Sequence, residues 1–180
     1  MSEETPKQNK TNKLSKSVRT TAILAGVFFL YFVYILFAPN ISPKSDEKTY
    51  LCIPDSSSLN QVVTLLSNEA DISNTMAFKQ VATLLRYSKI RPGRYEIKPG
   101  MNNFQLIRIL RSGRQTPVKL TFNNIRTKEQ LAGRLSAQLM ADSLSILKIL
   151  NDTALLAKDS LNPNTSIALF IPNTYEVFWD

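Results

Sequence analysis

From Thr20 to Pro43 the chain carries no charged residue, and Ala22 to Ala38 is apolar throughout apart from Gly26 and the ring hydroxyls of Tyr31 and Tyr34. At about 1.5 Å per residue such a run makes a helical rod of about 26 Å, at the short end of what crosses a hydrocarbon core. A buried helix of a water-soluble protein would keep one polar face, and this stretch has none. The segment 20–43 is therefore expected to be a transmembrane anchor with its exit, and every other segment takes its place from it.

The flanks give the orientation. Lys7, Lys10, Lys13, Lys16 and Arg19 precede the run, whereas Lys44 and Lys48 follow it beside Asp46 and Glu47. That asymmetry predicts a cytoplasmic basic tail over 1–19 and an extracytoplasmic remainder: a single-pass protein of the cytoplasmic (inner) membrane with its N-terminus inside. Cleavage as a signal peptide is disfavoured, because Ile35-Leu36-Phe37-Ala38-Pro39 puts bulky residues where a small-x-small site is needed. Cys52 sits too far past the run, behind Thr49-Tyr50-Leu51, to carry a lipid.

Outside the bilayer the remaining residues suffice for one ordinary domain or two small modules. One cysteine forbids an internal disulfide. The absence of histidine removes the common zinc ligand sets and every His-based triad or general base. No cofactor, metal or catalytic residue is assigned to this chain, and any chemistry falls to carboxylates, hydroxyls, Lys, Arg or Tyr.

The net charge of +8 is concentrated. Between Arg86 and Arg134 twelve basic residues stand against only Glu96 and Glu129. Such a belt suits an anionic partner, either lipid headgroups or acidic cell-wall strands, or else a solvated face that keeps the domain in solution. An extracytoplasmic place argues against nucleic acid.

From Thr49 onward one pattern recurs three times. Two alternating apolar residues are followed, five positions on, by a helix-capping residue, three further by Gln, and then by an apolar doublet. Leu51 and Ile53 precede Ser58 and Gln61; Tyr95 and Ile97 precede Asn102 and Gln105; Leu120 and Phe122 precede Thr127 and Gln130. The switch from a period of two to a period of 3.6 marks strand, turn and helix, and cap plus Gln is a capping box. Between the first two units, Phe78, Val81, Ala82 and Leu85 share a helical face behind an Asn74 or Thr75 cap, with Pro92-Gly93 as the stop. Residues 49–98 are thus strand, helix, helix, strand, an order and length that resemble the LysM peptidoglycan-binding module. A linker over 44–48, within the polar stretch from Asn40, lets this module stand just off the membrane. Further strand-turn-helix units fill 99–140, with Gly113 as a C-terminal stop. Asp142 or Ser143 caps another helix, and Asn162-Pro163-Asn164 is a turn. The run Phe170, Ile171, Tyr175, Val177, Phe178 and Trp179 offers large apolar side chains to a core not yet supplied, as the first strand of something that continues.

These residues resemble a known family, the endolytic murein transglycosylases. The likeness rests on the span, the LysM-like segment, Gly93-Arg94-Tyr95-Glu96-Ile97-Lys98-Pro99-Gly100-Met101, Leu110-Arg111-Ser112-Gly113, and Phe170-Ile171-Pro172-Asn173-Thr174-Tyr175. It implies an α+β architecture: one transmembrane helix, strand-turn-helix units including the βααβ module, and the start of an α+β catalytic domain over 141–180. It also implies cleavage between N-acetylmuramic acid and N-acetylglucosamine in nascent glycan strands, leaving 1,6-anhydro ends. The catalytic Glu of the family falls downstream of residue 180, so the stretch in hand is expected to be inactive. Asn173, Tyr175 and Glu176 are candidate substrate contacts. Asn173 stands where the family commonly has Asp, and Glu176 directly follows the motif, so the catalytic role is not carried onto it. The implied partners are peptidoglycan strands, the lipid bilayer and the cell-wall synthases. A non-catalytic, membrane-tethered glycan-binding or scaffold module is the alternative.

Overall fold

The computed structural model describes residues 16–123 and 125–180, so most of the expected cytoplasmic tail lies outside the described residues. The architecture is mixed α+β: one apolar N-terminal helix followed by strands and helices around two hydrophobic clusters.

Helix α1, Lys16–Phe37, is long and apolar enough to cross a membrane. Val18 to Tyr31 is exposed, while Phe32, Ile35 and Leu36 on the last turns pack into the first cluster. The next segment departs from expectation. Residues 40–43, expected as the exit and the start of a polar linker, belong to strand β1, Pro39–Pro43. It is the central strand of an antiparallel sheet ordered β3-β1-β5, with β3 at Ala70–Ile72 and β5 at Met101–Asn102. Ile41 pairs with Ile72 and is 1 % exposed. A single buried Ile between two terminal prolines is too short an alternation to register as a strand, yet prolines are tolerated at strand ends. Lys44 then donates to the carbonyls of Ser67 and Asn68, where its charge meets the negative end of helix α2, Leu59–Glu69.

The expected strand-helix-helix-strand order is present. Strand β2, Thr49–Ile53, pairs antiparallel with β4, Gly93–Ile97, and α2 and helix α3, Thr75–Leu84, lie between them in sequence around the short β3. Leu51, Ile53, Tyr95 and Ile97 turn inward and are at most 2 % exposed. Ser58 and Asn102 cap α2 and helix α4, Asn103–Ser112, with both arms of the capping box made. Each box satisfies two amide groups that no helical carbonyl can reach. Gly113 ends α4 in the left-handed conformation, φ 68°, as its position suggested.

The third unit is strand β6, Val118–Thr121, and helix α5, Lys128–Ser136. Thr127 caps α5, but the Gln130 side chain accepts from the amide of Arg126 instead of closing the box on Thr127. Asp142 caps helix α6, Ser143–Leu150, and Asp152 caps the short helix α7, Thr153–Ala157. Asn162 Oδ1 accepts from the amides of Asn164 and Thr165, which makes the expected turn. The apolar run near residue 175 meets a core after all. Strand β7, Thr174–Val177, pairs antiparallel with β6, and Phe170, Tyr175, Val177 and Trp179 pack on Leu120, Phe122, Leu131 and Ile146. Ile171 and Phe178 stay exposed.

Candidate functional site

Of the sequence-derived candidates, Tyr175 and Glu176 lie on β7 and Asn173 directly precedes it. Asn173 Oδ1 accepts from the Thr174 amide at 2.7 Å, and its carbonyl accepts from Phe122 at 2.9 Å, so it closes the turn into β7. Tyr175 turns inward, its ring 5.4 Å from that of Phe122 and its hydroxyl donating to the Ile171 carbonyl. Glu176 turns outward and meets Lys119 at 3.5 Å across the ladder, both well exposed. Such a surface pair contributes between zero and about 1 kcal/mol. Strand alternation therefore places Tyr175 and Glu176 on opposite faces.

A groove that sequence reasoning missed lies between the turn before α2 and the loop after α3. It has a volume of about 670 Å3 and is lined by Ser57, Ser58, Leu59, Ala82, Thr83, Arg86, Tyr87, Ser88 and Ile90. Local backbone chemistry makes it. Helix α3 stops at Leu84, earlier than the Pro92-Gly93 signal suggested, because Arg86 adopts φ 50° and Tyr87 donates back to the Ala82 carbonyl. Residues 86–92 are thereby freed as a loop, which the Tyr95 hydroxyl pins by donating toward the carbonyls of Arg91 and Pro92.

Tyr87 is 3 % exposed, and its hydroxyl has no hydrogen-bond partner among the described residues. Burial pushes its phenol well above the usual range, so the group stays a neutral O–H donor. A buried hydroxyl without a partner costs about 1–3 kcal/mol. The Arg86 guanidinium and the Ser88 hydroxyl are likewise without partners among the described residues and stand exposed at the rim. The groove thus sets an apolar wall of Leu59, Ala82 and Ile90 beside the exposed Ser88 hydroxyl and one cation.

The basic belt divides into structural and free members. Arg94 lies 3.5 Å above the Tyr50 ring and donates to the Pro117 carbonyl; Arg111 donates to Leu85 and Arg134 to Thr121. Those side chains hold loops together. Burial pushes the Cys52 thiol above its ordinary range, partly opposed by Arg94. Among the described residues no group of three or more His, Cys, Asp and Glu is placed to hold a metal. Glu129 and Asp142, each hydrogen-bonded at the start of a helix, have carboxyls held below their ordinary range, opposite to the demand on a general acid.

The sequence profile of the YceG-like family matches residues 51–180, which takes in the groove, the second cluster, β7 and all of the first cluster except its members on α1 and β1. The chain belongs to the YceG-like family. A crystal structure of a YceG-like protein from Listeria monocytogenes is similar at 24% identity and a TM-score of 0.44, over 74% of this chain and 48% of that one. The chain thus spans about half the length of that relative. No curated protein matches. The profile match starts behind α1 and β1, so the apolar helix and its docking strand lie outside the matched region of the YceG-like chain.

Proposed function

We propose that this YceG-like chain is the membrane-anchored N-terminal portion of an endolytic peptidoglycan lytic transglycosylase. In this reading α1 spans the cytoplasmic membrane with the basic tail inside, and residues beyond it face the glycan. The family match over 51–180 behind a span-length apolar helix is the observation that carries it. The reaction breaks the bond between N-acetylmuramic acid and N-acetylglucosamine. One carboxylic acid of raised pKa protonates the leaving glycosidic oxygen. It then accepts the proton of the sugar's own C6 hydroxyl as that oxygen attacks C1, so no water is consumed and no second catalytic carboxylate is needed.

Within residues 16–180 the contribution is binding and placement. Arg86 and Ser88, exposed at the rim, hold a glycan segment in the groove, and α1 keeps that segment near the membrane where nascent strands emerge. Glu176 is ion-paired at the surface, and Glu129 and Asp142 serve helix starts, so none of the three is assigned as the general acid. Mass analysis of fragments released from purified glycan by the longer gene product tests the chemistry. Ends of the 1,6-anhydro kind are expected, and reducing ends alone would contradict it.

The groove also favours a second reading, a tether that binds glycan without cutting it. Retention of detergent-solubilised chain on glycan strands, reduced severalfold by Arg86→Ala, is expected under both readings. Release of anhydro ends separates them.

A further inference from the structure

We infer that the part of the chain after α1 does not stand off the bilayer but is seated in its headgroup layer, through the end that carries its junction with α1, where Phe37, Phe104 and Met76 stand. The inference rests on reading α1 as a membrane span and adds how deeply the domain sits.

Length carries the first step. Thr20 to Tyr31, the uncharged part of α1 that no other element covers, is about 18 Å long at 1.5 Å per residue. Counting from Lys16 instead, with both basic side chains reaching back to the interface, the uncovered length is still only about 24 Å. A hydrocarbon core is about 30 Å thick. The missing length is supplied by Phe32 to Leu36, whose inner side is already packed against the domain. Tilting the helix increases the shortfall, and local thinning removes only part of it. Protein packed on Phe32 and Leu36 therefore enters the boundary of the bilayer. Tyr31 and Tyr34, 51 % and 68 % exposed, fall at the depth where tyrosines gather.

Rigidity carries the second. No flexible link separates helix from domain, because Ala38 still donates to the Tyr34 carbonyl and β1 begins at Pro39. Three asparagines lock the junction. Asn103 donates to the Ile35 carbonyl at 2.8 Å; Asn40 donates to Asn103 at 2.7 Å and to the Asn74 carbonyl at 3.0 Å, and accepts from the Asn74 amide at 2.7 Å. The C-terminal end of α1 is so tied to the N-terminal ends of α3 and α4, and these amide groups need no water, as a site at the edge of hydrocarbon requires.

The surface beside the junction has the matching chemistry. Phe37 is 53 % exposed with its ring 5.5 Å from that of Phe104, and Met76, on the first turn of α3, is 69 % exposed. Helices α3 and α4 carry Lys79, Arg108 and Arg111 and no acid, which suits phosphate groups lying above an apolar wedge.

The test uses the whole chain in vesicles of phosphatidylcholine and phosphatidylglycerol. Single cysteines at 76, 104, 28 and 160, in a Cys52→Ser background, carry an environment-sensitive fluorophore, and brominated acyl chains act as quenchers. Emission from 76 and 104 is expected to shift to the blue and to be quenched severalfold more than emission from 160, with 28 quenched by deep bromines. Quenching at 28 with 76 and 104 indistinguishable from 160 would overturn the seating while leaving the span intact. No quenching at 28 removes the span and the seating together. Met76 is exposed, so the outcome at 76 stands even if the half-buried Phe104 tolerates its label poorly.

Discussion

Arg86 holds a backbone conformation that costs a side-chain-bearing residue about 1–2 kcal/mol, and it does so where the groove needs a cation. Arg86→Gly should raise unfolding stability by about 1 kcal/mol and weaken retention on glycan strands, read by chemical denaturation and by pull-down at low salt. A stabilised variant with unchanged retention would remove Arg86 from the site. Tyr87→Phe tests the neighbouring packing: deleting a buried hydroxyl with no partner should leave the chain equally or more stable in the same denaturation experiment, and a clear loss of stability would contradict its isolation. Nothing in the spacing of Phe78, Val81, Ala82 and Leu85 announced this site, because Tyr87 lies just past the periodic face and its isolation is a property of packing. Asn173, Tyr175 and Glu176 could be picked out as a motif, but their division between two faces depends on the register of β7 against β6, which only the partner strand sets.

The helix starts were the most legible elements, since a cap and a Gln three residues apart act locally. Ser58→Ala should cost about 1 kcal/mol, measured by denaturant unfolding. The caps at α5 and α6 also carry a pH signature. Hydrogen bonds from Ser145, its amide first, hold the Asp142 carboxyl below its ordinary 3.8. A carboxyl whose folded value is depressed adds stability above its unfolded value and loses it as the pH falls through the folded one. Thermal unfolding followed from about pH 5 down to pH 2 should show that loss, and Asp142→Asn, which still caps, should flatten the slope. β1 escaped notice for the opposite reason. Its strand character comes from β3 and β5 on either side, not from its own five residues. Asn103→Ala, which strands the Ile35 carbonyl and Asn40 together, should cost about 2 kcal/mol or more and open the chain to protease near Phe37.

At the scale of the molecule, two clusters are joined by a short crossing. Thr116 donates to the Arg94 carbonyl, Arg94 to Pro117, and Gln115 to the Asp180 carboxylate. Gly93 sits under that crossing at φ 130°, where an added Cβ would come within 2.2 Å of the Gln115 side chain. The family match covers residues from each cluster, and α1 is bolted to the first of them through the asparagine junction. The account therefore requires one placement of the whole chain: a helix in the bilayer with everything after it on the side where glycan is made. A reporter enzyme fused after Asp180, one form active only after export and the other only in the cytoplasm, reads that placement directly. The exported form alone should be active, and activity of the cytoplasmic form alone would contradict the account.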